Sequence, residues 1–259
     1  MGRVTQITSR SNPLLVRLRK LSGDATAYRR LGTVVLEGAH LCEAWLARPG
    51  AQVQQAIVDE AAWQEPRLRR LAEAGDEVAI VPAALLAGLG TLESPAPIAF
   101  LVAMPASASI AAREPSLVLD RIQDPGNVGS ALRSAAAFGF RQAIALVGTA
   151  ALWSPKVLRA GMGAQFGLRL VEGADEAMLA SLEVPLYGTS SHVARRVDET
   201  ALPWPCAWVF GHEGQGIDPA IAARCTAVLA IPQPGGGESL NVAAAAAVCL
   251  YETVRQRER

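Results

Sequence analysis

The stretch Ile231-Pro-Gln-Pro-Gly-Gly-Gly-Glu-Ser-Leu-Asn-Val242 joins a predicted buried strand to a predicted alanine-rich helix over residues 243–252. Its glycines, 235–237, allow the backbone to approach a ligand closely because they carry no Cβ. A carboxylate, a hydroxyl and an amide follow at the start of the helix, where Ser239 or Asn241 can act as the N-cap. Taken alone, this stretch favours the capping interpretation over a ligand-binding one, so the rest of the chain has to decide between them.

The composition excludes a protein that coats nucleic acid through a high overall positive charge. The chain has 259 residues, is 51% hydrophobic and has a formal net charge of +0, which leaves room for two domains and for a local basic face. Among its 24 basic residues only Lys20 and Lys156 are lysines. The planar fork of arginine suits phosphate recognition, and a bias in genome composition is the alternative explanation.

Cysteine usage and the N-terminus indicate a reducing compartment. The four cysteines have no C-x-x-C spacing and no histidine in a ligand pattern, so we expect no metal site. Residues 1–10 lack the apolar segment of a signal peptide, and no apolar run is long enough to cross a bilayer. We therefore expect a cytoplasmic protein without a membrane segment.

Residues 3–30 form a basic cluster with Asp24 as the single acid. A predicted helix begins at Ser11-Asn12-Pro13 and continues with an apolar stripe. Two interpretations stay open here: a solvated helix face, or a surface that binds RNA phosphates. The arginines that we assign to RNA binding are Arg10, Arg17, Arg29 and Arg30.

Strand and helix patterns alternate along the chain in two series, which is typical of an α/β protein. We predict an N-terminal α/β domain over 1–104, a linker rich in Ala, Ser and Pro over 105–115, and a second α/β domain over 116–259. The predicted strands of the first domain are 33–36, 56–58, 78–81 and 98–102, and its helices are 39–48, 61–74 and 83–89. In the second domain the predicted strands are 117–120, 143–147, 168–171, 185–188, 206–210 and 227–231. Its predicted helices are 127–138, 154–163, 175–182 and 243–252. We also predict a turn at Asp124-Pro125-Gly126 and a frayed end over 255–259.

Three loops rich in glycine, 123–129, 211–216 and 232–241, each follow a predicted strand. In open α/β sheets ligands bind at the carboxyl ends of the strands, so these loops are expected to converge on one pocket. None of them has the pattern of a dinucleotide fingerprint or a P-loop. Helical geometry is expected to bring Arg133 toward the same side as Asn127. The polar candidates are Asn127, Arg133, Glu213, Ser239 and Asn241.

These loops resemble the three motifs of the SpoU (TrmH-like) family of RNA ribose 2′-O-methyltransferases. The residues that resemble the first motif are Leu119-Asp-Arg-Ile-Gln-Asp-Pro-Gly-Asn-Val-Gly129 followed by Arg133, and those that resemble the second are Phe210-Gly-His-Glu-Gly-Gln-Gly-Ile217. The third is similar to Ile231-Pro232 with Glu238-Ser-Leu-Asn-Val242. Residues 7–9 and 12–13, together with 37–38, resemble, less specifically, the substrate-binding domain of many members.

The resemblance implies a C-terminal parallel-sheet α/β knot domain with a deep trefoil knot, and a smaller N-terminal α/β RNA-binding domain. It also implies a homodimer that binds S-adenosylmethionine in the knot and methylates a ribose 2′-hydroxyl in structured RNA, with rRNA favoured over tRNA. Arg133 is the expected catalytic arginine, with Asn127, Glu213, Ser239 and Asn241 as polar partners. The expected cofactor-binding residues are Thr189, Gly211, Gly216, Ile231 and Leu240.

The sequence departs from the family pattern at Gly161, where serine is frequent, and at Gln233, where methionine is frequent. Neither departure removes a residue assigned to chemistry. Two other functions stay open at this point: a catalytically silent RNA-binding or ribosome-assembly factor on the same fold, and a base methyltransferase on a related knotted fold. Neither the target RNA nor the nucleotide follows from the sequence.

Overall fold

The computed structural model describes residues 3–86, 96–236 and 239–258. Glu238 and Gly237 of the third loop, and residues 87–89 of a predicted helix, lie outside these ranges. Across the described ranges, no helix combines the length and the apolar character that a membrane span needs.

Two compact units make up the chain. The first contains Met1–Ala106 together with Trp153–Phe166, and the second contains Ser107–Leu152 together with Gly167–Arg259. The change from the first unit to the second along the chain falls inside the predicted linker. The functional division into 1–104 and 116–259 stays a prediction.

The first unit has a five-stranded sheet in the order β1-β4-β3-β5-β2, in which β5 runs antiparallel to both of its neighbours. Its strands are β1 (Arg3–Gln6), β2 (Thr33–Glu37), β3 (Gln55–Asp59), β4 (Glu77–Val81) and β5 (Ile98–Ala103). Its helices are α1 (Pro13–Gly23), α2 (Ala27–Leu31), α3 (Ala39–Leu46), α4 (Glu60–Gln64), α5 (Pro66–Ala72), α6 (Ala83–Leu86) and, from later in the chain, α8 (Pro155–Gly161).

The four predicted strands are confirmed. The predicted helix start at Asn12-Pro13 is confirmed too, since Asn12 Oδ1 accepts from the N–H of Leu14 and caps α1. The predicted single helix over 61–74 is wrong. Proline lacks an N–H and excludes the helical conformation at the preceding residue, so the helix breaks before Pro66. Glu65 is extended there (φ −83°, ψ 120°) and caps α5 instead. The sequence also gave no sign of β1 or α2.

The second unit has a six-stranded sheet in the order β11-β9-β10-β6-β7-β8, and every pairing is parallel. Its strands are β6 (Ser116–Leu119), β7 (Gln142–Leu146), β8 (Arg169–Ala174), β9 (Leu186–Thr189), β10 (Ala207–Phe210) and β11 (Ala227–Leu229). Its helices are α7 (Pro125–Ala137), α9 (Glu176–Leu179), α10 (Pro219–Arg224) and α11 (Val242–Arg257). All six predicted strands of this unit are confirmed. Successive residues of β6, such as Val118 and Leu119, point to opposite faces of the sheet and are both fully buried, as expected for a parallel sheet that is covered on both faces.

Two predictions at helix ends need correction. Asp124-Pro125-Gly126 is the start of α7 and not a turn, because Asp124 Oδ1 accepts from the N–H of Asn127 and proline suits the first helical position. The expected fraying from residue 255 is also wrong as far as residue 257. Arg255 pairs with Glu252 at 2.6 Å in the last turns of α11.

The position of α11 is fixed by a buried hydrogen bond to the sheet. The indole Nε1 of Trp208, on β10, donates to Thr253 Oγ1 at 2.9 Å, and both residues are fully buried. At the other end of the helix, Asn241 is the N-cap and accepts from the N–H groups of Ala243 and Ala244. Docking of α11 therefore also fixes where the third loop ends.

Candidate functional site

The three glycine-rich loops lie at one edge of the second unit. They follow β6, β10 and β11, which are parallel strands in one sheet with β9 between β11 and β10. Parallel strands present their carboxyl ends at the same edge, which is where ligands bind in open α/β sheets. The predicted convergence of the loops is therefore a consequence of the strand order.

Side chains from the first turn of α7 and from the second and third loops are joined by hydrogen bonds. Asn127 Nδ2 donates to Glu213 Oε1 at 3.1 Å, and Asn241 Nδ2 donates to Asn127 Oδ1 at 2.9 Å. Because Asn241 Oδ1 is used in capping α11, its amide N–H groups face Asn127. The capping interpretation of Asn241 is confirmed, and the same side chain also faces Asn127, while its role at a ligand site stays a prediction.

A cavity of about 1090 Å³ opens beside this network. Its volume lies just above the range of about 300–1,000 Å³ for small-molecule sites, so it has room for a cofactor and part of a substrate. Its lining includes all five residues that we expected to bind a cofactor and three of the five expected catalytic residues: Thr189, Gly211, Gly216, Ile231, Leu240, Glu213, Ser239 and Asn241. The roles of these residues stay predictions.

The backbone of the cavity wall fits an adenosyl ligand that is held by main-chain groups. No backbone group among the described residues is a hydrogen-bond partner of Ile231 or Leu240, although both residues line the cavity. Their N–H and C=O groups can therefore bind a ligand that has donors and acceptors at its edge. Gln233, one of the two departures from the family pattern, also lines the cavity and adds a side-chain amide to its wall.

Gly211 and Gly216 are required by the conformation of the second loop. A Cβ on Gly211 would lie 2.3 Å from Gly216 C and from Ile217 N, so only glycine lets the loop close on itself. Gly216 has φ +72°, which favours glycine for a different reason. His212 closes the same turn, because its Nδ1 accepts from the N–H groups of Gly214 and Gln215.

Arg133 is not part of the hydrogen-bond network. It is exposed on α7 and does not line the cavity of its own chain, and its side chain makes no hydrogen bond or ion pair with any other residue that the structure describes. The expectation that it lies toward the same side as Asn127 is wrong. Six residues are about one and two-thirds turns of helix, which separates the two directions by about 120°.

The sequence reasoning missed Asp120 and Arg121, which lie directly after β6. Asp120 is 2% exposed, and Arg121 holds both of its carboxylate oxygens. This hydrogen bonding raises the pKa of the Arg121 guanidinium above its ordinary value. The available signal was an acid at the end of a buried strand, since such a group needs a partner when it is buried.

The four arginines assigned to RNA binding lie in the first unit and differ in their surroundings. Arg17 donates to Thr33 Oγ1, and Arg30 pairs with Asp24 at 2.5 Å. Arg10 and Arg29 are exposed, and the guanidinium of Arg29 lies 5.5 Å from the centre of the Tyr28 ring. Arg29 Nε donates to the Tyr28 hydroxyl at 3.2 Å, whereas the side chain of Arg10 has no hydrogen bond or ion pair with another residue that the structure describes.

The second departure from the family pattern, Gly161, has a packing explanation. A Cβ at this position would lie 2.5 Å from Oε1 of the buried Gln165, so the glutamine amide occupies the space that a serine side chain would need.

Across the described ranges, no group of three or more His, Cys, Asp or Glu residues is arranged to hold a metal ion.

Comparison with known proteins gives one family for the second unit. Residues 114–251 match the model of the SpoU rRNA Methylase family. The chain is 31% identical over 225 residues to the 23S rRNA (guanosine(2553)-2′-O)-methyltransferase RlmP of Bacillus subtilis, covering 86% of this chain and 88% of that protein. It is also 31% identical to a 23S rRNA (uridine(2479)-2′-O)-methyltransferase of Streptomyces viridochromogenes, covering 70% and 68% of the two chains.

The similarity extends to solved structures. The SpoU methyltransferase AviRb from Streptomyces viridochromogenes, in complex with the cofactor AdoMet, is 28% identical. It superposes with a TM-score of 0.85 and covers 95% of this chain and 98% of that one. The superposition includes both units of the present chain, and the solved neighbour holds a methyl donor.

Proposed function

This chain belongs to the SpoU rRNA methylase family, and from that premise we propose that it transfers a methyl group from S-adenosylmethionine to a ribose 2′-hydroxyl of ribosomal RNA. It has the family's knotted α/β fold, a C-terminal deep trefoil knot. The observation that carries the proposal is the pair of hydrogen bonds from Asn127 to Glu213 and to Asn241, which joins the three motifs at the cavity.

The cavity holds the cofactor through the residues that line it. Backbone groups of Ile231 and Leu240 bind the adenosyl part, while Thr189, Gly211 and Gly216 shape the wall. S-adenosylmethionine supplies an electrophilic methyl group on a sulfonium, whose leaving group departs neutral. The remaining difficulty lies at the acceptor, because a ribose hydroxyl is a poor nucleophile until its proton is drawn away.

The polar network positions the acceptor. Ser239 and Asn241 hold the ribose or the cofactor carboxylate, and Glu213 keeps the amide of Asn127 in a fixed orientation. Holding the hydroxyl in line with the methyl group supplies several kcal/mol of the barrier reduction, since well-oriented intramolecular reactions gain about 7–11 kcal/mol. Arginine stays protonated in proteins, so Arg133 acts as a clamp on an adjacent phosphate, and phosphate or solvent takes the proton.

We propose that the active form is a homodimer in which Arg133 reaches the cavity of the partner subunit. Arg133 is exposed, has no described partner and is absent from the lining of its own cavity. On α11, which packs against α7, Val248 and Tyr251 are 40% and 54% exposed, and Tyr251 packs on Phe138 at the end of α7. This apolar face on the packed pair α7 and α11 suits a contact with a second copy.

A subunit-mixing experiment tests the shared site. Arg133→Ala and Asn241→Asp should each be strongly impaired as homodimers. If the residues act across the dimer, unfolding and refolding the two variants together restores about a quarter of wild-type activity, because half of the dimers are mixed and each has one intact site. Failure to restore any activity in mixtures that contain verified heterodimers would assign Arg133 to its own chain.

The function itself is tested with ribosomal RNA from cells that lack this protein. Single-turnover incubation with methyl-labelled S-adenosylmethionine should label one nucleotide, and that nucleotide should resist alkaline cleavage because its 2′-hydroxyl is blocked. A labelled nucleotide that is still cleaved would identify a base methyltransferase. Absence of cofactor binding in calorimetry would identify the catalytically silent alternative.

The two relatives named above act on a guanosine and on a uridine, so the target base of this chain is a separate question. Mapping 2′-O-methylated positions in total RNA from wild-type and deletion cells answers it. Ribosomal RNA as substrate also leads us to propose the cytoplasm as the site of action. No metal ion has a step in the proposed mechanism.

A further inference from the structure

Arg121 has a backbone conformation that is rare for a residue with a side chain. It follows Asp120 at the carboxyl end of β6 and has φ +57°, in the left-handed region. Its N–H donates to Thr149 Oγ1 at 3.0 Å, and the Thr149 hydroxyl donates to the carbonyl of Leu119 at 2.8 Å. Such strained residues persist only where their surroundings hold them, and they are concentrated at functional sites.

The guanidinium of Arg121 is held by a buried acid. Its Nε donates to Asp120 Oδ1 at 2.9 Å and its Nη2 donates to Asp120 Oδ2 at 3.2 Å. Asp120 Oδ2 also accepts from the backbone N–H of Asp218 at 2.6 Å. The acid therefore connects the end of β6 to the residue that begins α10, directly after the second glycine-rich loop.

The same guanidinium also reaches into the second loop. Its Nη1 donates to Gln215 Oε1 at 3.2 Å, and its Nη2 approaches the carbonyl of Gly216 at 3.5 Å. Gln215 and Gly216 both line the cofactor cavity. Arg121 itself does not line the cavity, so any effect it has on the cofactor is transmitted through the loop.

We propose that Arg121 is a positioning residue for cofactor binding: with Asp120 it holds the loop 211–218 in the conformation that forms one wall of the cavity. Arg121 combines a left-handed backbone with a side chain that reaches this loop. The proposal rests on the function proposed above only for the identity of the cofactor.

Glycine at this position separates positioning from strain. Arg121→Gly removes the fork but accepts φ +57° without cost, so the strand end keeps its conformation. We expect this variant to bind S-adenosylmethionine about tenfold more weakly in calorimetry. The KM for S-adenosylmethionine should rise to match, with the KM for RNA unchanged. Arg121→Lys keeps the charge beside Asp120 but cannot bind two oxygens in a fixed plane, so it should fall between the two.

Arg113→Ala is the matched control, because Arg113 is a highly exposed arginine in the same unit whose ion pair is with Glu183. It should leave both KM values unchanged. Wild-type cofactor affinity in a folded Arg121→Gly variant would overturn the proposal. If that variant does not fold, cofactor affinity of Arg121→Lys equal to wild type would overturn it instead. Failure of the wild-type chain to bind S-adenosylmethionine would be a failure of the proposed function, and is a separate result.

Discussion

Replacing Gly211 by alanine should remove cofactor binding through a purely steric effect on the second loop. The new Cβ would lie 2.3 Å from Gly216 C and Ile217 N and 2.4 Å from Gly216 O. Carbon atoms in contact are about 3.5–4.0 Å apart, so the backbone at residue 211 and the backbone at residues 216–217 must separate by about 1 Å or more. The atoms concerned are backbone, and no side-chain rotation relieves the clash.

The size of the effect follows from that displacement. Overpacking costs typically about 1–3 kcal/mol, and we expect the upper part of this range because the backbone has to move. A misplacement of about 1 Å in a site reduces activity by about a hundredfold. Calorimetry with S-adenosylmethionine measures the cofactor affinity, single-turnover methylation measures the activity, and urea unfolding measures the free energy of unfolding.

Gly214→Ala is the control within the same loop. At Gly214 the nearest atom to a new Cβ is His212 Cε1 or Nδ1 at 3.8 Å, which is ordinary van der Waals contact. This variant should bind cofactor as the wild type does and should change the free energy of unfolding by less than about 0.5 kcal/mol. If Gly211→Ala also keeps wild-type cofactor affinity, the second loop does not form the wall of the binding site and the steric reasoning is refuted.

Three further predictions test other parts of the chain. Asn241→Asp keeps an N-cap acceptor for α11 but loses the N–H donated to Asn127, so it should unfold like the wild type yet methylate at least about tenfold more slowly. Asn241→Ala should lose the same activity and also about 1 kcal/mol of stability, because the cap is removed. Equal activity of Asn241→Asp and wild type would contradict this. Arg10→Ala should weaken RNA binding and lower the slope of log affinity against log salt by up to about 1, while Arg30→Ala, whose charge is paired with Asp24, should change little. An equal effect of the two changes would contradict the assignment of Arg10 to a phosphate contact. Burial raises the pKa of Cys206 to about 12 and of Cys225 to about 11 from an ordinary value of 9.0. Just above pH 9, therefore, these two thiols form thiolates only in the unfolded chain. In that pH range each thiol should lower the free energy of unfolding by up to about 1.4 kcal/mol per pH unit. Urea unfolding between pH 8 and 10 measures this, and the same slope in a variant with both cysteines replaced by alanine would exclude the thiols as its cause.

The elements that the sequence predicted best are those decided by local chemistry. Buried strands of the parallel sheet are continuous apolar runs, and helix starts such as Asn12-Pro13 and Ser154-Pro155 are capped and fixed by the residues themselves. The errors have local reasons too. Pro66 ends a helix that the apolar spacing alone would continue, and Asp124 caps a helix where a proline and a glycine suggested a turn.

The candidate site divides in the same way. Motif spacing placed Asn127, Glu213, Ser239 and Asn241 on loops at strand ends, and eight of the ten predicted catalytic and cofactor residues line one cavity. Asp120 and Arg121 stand within the first motif, but their role could not be read from it, because that role depends on contacts with residues almost one hundred positions later in the chain. The exposure of Arg133 likewise depends on how α7 packs in the folded unit.

By itself, the sequence determined the alternation of strands and helices, the three glycine-rich loops and the family to which they belong, since each depends on residues that are neighbours in the chain. Only the tertiary structure decided that the amide of Asn241 both caps α11 and faces Asn127, and that one guanidinium spans two loops. The physical reason is that the order of strands in a sheet is set by packing of the whole unit. That order alone determines which distant side chains come within hydrogen-bond distance of one another.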